Sequence, residues 1–241
     1  MSLLSANTLF HFTNLENLLS ILKNGFHPRY HEEDMSLFRK FNQNIAIPMV
    51  CFCDIPLSLT KKHIKRYGGY GIGLTKKWAK ENKIGPVMYC VQKSQASENL
   101  KKGLDHLDRF TSKKTSLPQE LEIQLAVGFD ELKKFTYFMK PVKYYDEKEW
   151  RFVPRKSEEF VIPDMHKGKK LKSYIETLNK TSPSPEFLRF ESQDIKYIIV
   201  NNSHEIDEVV TFMKKLHKFD ARNLNFLMTK MLTLKDILED F

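Results

Sequence analysis

The sequence predicts an α+β fold, and three observations carry that reading. Apolar runs of strand length recur at residues 47–53, 86–92 and 195–200, separated by polar turns. Elsewhere apolar residues recur at helical spacing, as in Leu15, Leu18, Leu19 and Leu22. No internal repeat, low-complexity tract or linker long enough to separate two cores interrupts the chain. One domain over residues 1–241, with a helical insertion at about 94–140, is the simplest organisation.

Residues 9–13 organise the rest of the chain. Leu9, His11 and Thr13 fall on one face of an extended segment, Phe10 and Phe12 on the other. Thr13 and Glu16 are spaced as a capping box, the Thr13 hydroxyl accepting from the backbone of residue 16 while the Glu16 carboxylate reaches back. The helix they open ends at Gly25, which can take a left-handed stop. Residues 26–46 are polar with scattered aromatics and no period, which predicts a long loop with a helical turn at 35–41, a candidate lid. A buried strand at 47–53 ends at Asp54-Ile55-Pro56, and Pro56 opens a helix reaching about Arg66. Gly68, Gly69, Gly71 and Gly73 surround Tyr70 in an extended segment, a sign of close backbone approach. That segment has neither a Gly-Lys-Ser/Thr ending nor G-x-G-x-x-G spacing, so it is not a phosphate loop or a dinucleotide fingerprint. Thr75 caps a short helix through Glu81.

Residues 86–92 read as a strand. Two stripes, Leu100, Leu104 and Leu107, then Leu121, Leu125, Phe129 and Leu132, form the helical insertion, interrupted at 111–118 and stopped by Pro141. β character over 142–154 places Glu147, Glu149 and Arg151 on one face and Lys148, Trp150 and Phe152 on the other. A short strand at 160–162, a helix at 169–178 and a rigid turn at Ser182-Pro183-Ser184-Pro185 lead to the strand at 195–200. Ser203 caps a helix to Phe219, residues 225–231 read as a last strand and 233–241 as a terminal helix.

Composition bounds the function. Hydrophobic residues at 41 % and charged residues at 29 % fit a soluble globular protein. No apolar run approaches the roughly 20 residues that cross a bilayer, so no membrane partner is expected. The N-terminus lacks a basic stretch leading into an apolar core, so no secretory signal is expected and a cytoplasmic location is. Three cysteines make no disulfide framework; Cys51 and Cys53 share a strand face as buried thiols, and without a second cysteine pair no metal is expected. The net charge of +9 admits nucleic acid or an acidic partner, although the cations are dispersed, as at Lys61-Lys62, Lys113-Lys114 and 167–172.

The chemistry-bearing residues are His11, Tyr70, Glu147 and Glu149. They suit cleavage of an N-glycosidic bond. Expelling nicotinamide from NAD leaves an oxocarbenium-like sugar that a carboxylate stabilises. An aromatic face can stack on the departing ring, and a histidine can hydrogen-bond a ribose hydroxyl or the pyrophosphate. Carboxylates two residues apart on a strand point the same way, about 6–7 Å apart at their Cα atoms. Each residue also has a structural alternative. His11 can be satisfied by backbone, Tyr70 can plug a core, and Glu147 and Glu149 can pair with cations opposite. Arg151 can bind a phosphate or serve as the partner of Glu149.

His11-Phe12-Thr13, the helix to Gly25, the glycine-flanked Tyr70 and Glu147-x-Glu149 together resemble the His, Tyr and Glu motifs of the ADP-ribosyltransferase fold. Within that fold the chain resembles the AbiGi abortive-infection family of bacterial anti-phage systems. Five blocks in order carry the likeness: residues 9–13, Cys51-Phe52-Cys53-Asp54-Ile55-Pro56-Leu57, residues 67–76 with Trp78, Glu147-Lys148-Glu149-Trp150-Arg151, and residues 195–200. The resemblance implies a split β-sheet core flanked by helices. It implies a candidate NAD cleft with Glu149 and Glu147 as catalytic residues and His11, Thr13, Tyr70 and Arg151 as cofactor-binding residues. It implies an antitoxin or regulatory role beside a cognate toxin or neighbouring-gene protein. His-Phe-Thr stands where many transferases show His-Tyr or Arg, so turnover of NAD is left open. An active transferase modifying protein or nucleic acid, and a nucleic-acid-binding repressor using the basic surface, are the alternatives.

Overall fold

The computed structural model describes residues 7–38, 44–111, 117–156, 158–163, 168–183, 186–216 and 218–240. In chain order these form β1 (Thr8–Thr13), α1 (Leu15–Asn24), β2 (Arg29–Asp34), β3 (Asn44–Cys53), α2 (Lys61–Tyr67), β4 (Tyr70–Thr75), α3 (Lys76–Glu81), β5 (Gly85–Pro86) and β6 (Met88–Cys90). There follow α4 (Gln95–Thr111), α5 (Gln119–Phe135), β7 (Met139–Pro141), β8 (Glu149–Phe152), β9 (Phe160–Val161), α6 (Lys169–Thr181), β10 (Ile195–Val200), α7 (Ser203–Lys214), α8 (Ala221–Met228), β11 (Met231–Thr233) and α9 (Leu234–Asp240). The architecture is α+β on a mixed sheet, ordered β11-β10-β4-β1-β3-β8-β5, with β2 and β9 also on β3 and a separate β6–β7 pair.

The alternation along β1 sorts its side chains as the sequence predicts. Leu9 joins the main core with Leu18 and Leu22 of α1, Ile72, Trp78, Ile198 and Val209. Phe10 and Phe12 face the opposite layer with Cys53, Ile64, Ile199 and Ile237. β1 pairs with β4 from Thr8↔Thr75 to Thr13↔Tyr70, which sets Phe10 opposite Gly73 and Phe12 opposite Gly71. A Cβ on Gly73 would come 2.9 Å from the Phe10 ring, so the glycine makes room for it. A third cluster, Met35, Phe38, Ile45, Ile47, Met49, Leu104 and Tyr137, anchors the α4–α5 hairpin, of which α5 itself buries no residue fully.

Several expectations are corrected. Asn14, one residue past Thr13, caps α1 through its own side chain on the Asn17 amide; no Thr13–Glu16 box forms. The stretch expected as a loop holds β2, paired with β3 from Arg29↔Met49 to Asp34↔Asn44. Arg29-Tyr30-His31-Glu32-Glu33-Asp34 has no apolar alternation, so only the pairing partner makes it a strand. The helical turn expected at 35–41 shortens to a turn at 36–38, its remainder lying outside the described residues. The helix expected from Pro56 breaks at the buried Thr60, whose hydroxyl donates to the Leu57 carbonyl, so a 3-10 turn precedes α2. The strand expected at 86–92 divides between β5 on β8 and β6 on β7. The β stretch expected over 142–154 begins as 3-10 turns, Val142–Glu147, and Lys148 takes a left-handed φ of 42° before β8 starts.

The helix after residue 203 is capped by Asn202 and stops at Lys214. In place of the expected last strand, Asp220 caps the helix α8 and only Met231–Thr233 is extended, parallel to β10. Lys113-Lys114, Lys167, most of the 111–118 interruption and Ser184-Pro185 of the rigid turn lie outside the described residues.

Gly68 closes α2 at φ 122°, where a Cβ would lie 2.1 Å from the Thr13 carbonyl oxygen. Replacing it with alanine should therefore cost roughly 2 kcal/mol or more, through a strained backbone and displacement of the end of β1. Gly85, with nothing within 4 Å of an added Cβ, should accept alanine within about 0.5 kcal/mol. Urea unfolding of the two variants measures the contrast; equal effects would contradict it.

Candidate functional site

β1 meets β3 at the single pair Phe10↔Cys53 and then departs from it, while the earlier half of β3 pairs with β2. A cleft of about 990 Å³ lies where the strands part. Its wall includes residues 10–13 of β1 and 49–53 of β3, Lys23 from the end of α1, and Arg29, His31 and Glu33 of β2. It also includes His63, Arg66 and Tyr67 of α2, together with Lys140, Glu147, Glu149, Phe187 and Arg189.

His11 bridges the parting strands. Its Nδ1–H donates to the Cys51 carbonyl at 2.8 Å, so the other ring nitrogen carries a lone pair. Phe26 and Phe52 stand edge-on to the imidazole at 5.2 and 5.9 Å. Burial lowers its pKa against the opposing pull of the Cys51 carbonyl, so the ring is neutral at pH 7. Thr13 also lines the cleft, its hydroxyl oxygen accepting from the Asn17 side-chain amide at 3.1 Å.

Glu149 is 5 % exposed and Arg151 fully buried. The Arg151 Nε donates to Glu149 Oε1, its Nη2 to Glu33 Oε1 at 2.8 Å and its Nη1 to the Tyr137 carbonyl. Lys140 donates to Glu149 Oε2 at 2.6 Å and to Glu147 Oε2 at 3.1 Å, and Arg66 to Glu147 Oε1 at 2.7 Å. Glu33, Arg151, Glu149, Lys140, Glu147 and Arg66 thus form one chain of alternating charge. Burial by itself would raise the Glu149 pKa, but Arg151 and Lys140 outweigh it and hold the carboxyl at about 2. The Cys51 thiol nearby is pushed well up by burial and stays protonated.

The expected residues are only partly brought together. His11, Thr13, Glu147 and Glu149 line one cleft. Glu147 and Glu149 do not share a strand face, because Glu147 closes a 3-10 turn and the left-handed Lys148 intervenes; they converge through Lys140. Tyr70 does not line the cleft: it packs on the main core and its hydroxyl donates to Glu205 of α7 at 2.8 Å. The tyrosine in the wall is Tyr67, 46 % exposed. Arg151 does not line it either, and the choice left open for Arg151 resolves as the partner of Glu149.

Sequence reasoning missed Lys140, Glu33, His31 and His63. Lys140 and Glu33 lie on short or polar strands that carry no local signal. His63 lines the cleft with its Nδ1 buried and without a hydrogen-bond partner among the described residues. Its position on a basic helix could have raised it as a site residue.

Residues 24–201 match the family described as abortive phage resistance protein AbiGi, antitoxin. The chain is 27 % identical over 256 residues to the abortive phage resistance protein AbiGi of Lactococcus lactis subsp. cremoris, covering 90 % of this chain and 100 % of that one. No solved structure matches it.

The ion pairs of Glu149 make stability depend on pH in a definite sense. Its folded pKa lies below the ordinary 4.5, so its contribution is complete above about pH 5 and is lost as pH falls toward 2. Glu33, raised chiefly by burial, contributes in the opposite sense. The difference between wild type and Glu149→Gln isolates Glu149. At pH 7 Glu149→Gln should cost about 3 kcal/mol, since Lys140 and part of Arg151 lose their partner. At pH 3 the gap should narrow. Urea unfolding at both pH values checks this, and a gap independent of pH would refute it.

Proposed function

Because the chain belongs to the AbiGi family of abortive phage resistance proteins, we propose that it is the antitoxin or regulatory member of a two-gene abortive-infection system. Its scaffold is ADP-ribosyltransferase-like, and its cleft holds an NAD-type dinucleotide without turning it over. One observation supports the absence of turnover: both oxygens of Glu149 are already engaged, by Arg151 and Lys140. A carboxylate that must meet a developing sugar cation gains little once two cations neutralise it.

The residues present fit a bound dinucleotide. The buried Nδ1 of His63, which has no hydrogen-bond partner among the described residues, can meet a polar ligand atom. Lys23, Arg29 and Arg189 in the wall suit a pyrophosphate. The stacked His27–Phe187 pair, with ring centroids 4.6 Å apart, offers aromatic surface beside them. His11, neutral and tied to Cys51, offers its second nitrogen as an acceptor for a ribose hydroxyl. When bound, the dinucleotide supplies an N-glycosidic bond; the chain's own residues orient it and keep Glu149 paired.

A second reading, an active transferase, is favoured by His11 and Glu149 lining the same cleft. The two readings separate cleanly. Calorimetry with NAD should show binding that weakens in Arg29→Ala and Arg189→Ala, with no nicotinamide released. Release that disappears in Glu149→Gln, with the fold intact, would establish the second reading in place of the first. Co-expression with the neighbouring gene product should yield a stable complex and restore growth; failure of both would overturn the antitoxin role.

A further inference from the structure

One rim of the cleft carries a feature that dinucleotide binding does not use. α2 bears Lys61, Lys62, Lys65 and Arg66 with no acidic residue, and its lysines are exposed. The Arg66–Glu147 pair, at 2.7 Å, joins this helix to the 3-10 turns at Val142–Glu147. Phenol rings stand along that joined edge. Tyr67 and Tyr145 are 46 % and 52 % exposed. Arg66 lies 5.2 Å from the centre of the Tyr67 ring and Lys148 lies 4.2 Å from that of Tyr145. Tyr144 sits between Lys140 and Lys143, at 5.2 and 5.0 Å. Of the two acids on this edge, Glu147 is engaged by Arg66 and Lys140, and Asp146 is exposed beside Tyr145, against the four cations of α2 and Lys143.

We propose that this rim binds single-stranded nucleic acid. Bases stack on Tyr67 and Tyr145, and backbone phosphates meet Lys61, Lys62, Lys65 and Lys143. Exposed tyrosines with a cation near one face leave ring surface for a base, and every base presents a face for stacking. A duplex keeps its base faces buried in its own stack and cannot use the rings. A polyacidic chain such as polyglutamate would meet the lysines but offers no aromatic face to the rings. The four phosphate-binding lysines, Lys61, Lys62, Lys65 and Lys143, lie outside the cleft lining, and Tyr67 is the stacking residue the rim shares with it.

Fluorescence anisotropy tests it, with labelled 12-nucleotide oligouridine and oligothymidine, a duplex of the same length, and polyglutamate. The single strands should bind, with affinity falling linearly on a log–log plot against salt. Tyr67→Ala and Tyr145→Ala should each weaken binding about tenfold and leave the salt slope unchanged. Tyr67→Trp should retain it. Lys61→Ala with Lys65→Ala should reduce the slope by about 1.4. Circular dichroism melting shows that each variant is folded. The RNA and DNA strands tell which sugar is preferred. Equal binding of duplex or polyglutamate, or folded tyrosine variants that bind as wild type, would overturn the proposal and leave a surface that attracts any polyanion.

Discussion

The buried pair of Glu149 and Arg151 is the constraint on which the site depends. A guanidinium with no solvent exposure must have its donors satisfied inside the protein. Arg151 meets this with Glu149 on its own strand, Glu33 on β2 and the Tyr137 carbonyl ahead of β7. One side chain of β8 thereby draws in two segments distant in sequence. Lys140 of β7 then completes the shell of Glu149 and passes to Glu147. Glu33, Glu147 and Glu149 in the cleft wall are ordered by these cations.

The same arrangement decides what the cleft can do. A carboxylate held at about 2 by two cations remains an anion at any physiological pH, but one already neutralised. Above it His11 closes the other structural problem. Where β3 exchanges β1 for β2, the Cys51 carbonyl is satisfied by an imidazole instead of a neighbouring strand. The histidine bridges the point where β1 diverges from β3 after a single pair. The cleft is the space that divergence leaves.

Much of this was legible locally. The face alternation of β1, the glycine stop of α1, the Thr75 cap, the central strands and the two long helices follow from patterns a few residues long. Tyr70 shows where that reasoning fails. Glycines on both sides of it do report close approach, but it is of Thr13 and Asn201 to Gly68 and Gly69 and of Phe12 and Phe10 to Gly71 and Gly73, not of a ligand to the phenol. The Glu-x-Glu spacing failed for a related reason. Period-two geometry holds only inside a strand, and Lys148 in the left-handed region ends that geometry between the two acids.

What the sequence alone determined is the class of fold and the character of each local face, because helix stripes, caps and strand alternation are set by neighbours along the chain. It also carries the family membership, over residues 24–201. Only the tertiary structure decided that Arg29-Tyr30-His31-Glu32-Glu33-Asp34 is a strand, that Arg151 is a buried brace and that Glu149 is bound to Lys140. The strand depends on backbone pairing with β3, and the other two outcomes on charge partners 118 and 9 residues away. A buried charge takes whichever opposite charge the fold brings within reach, and no local pattern records which one that is.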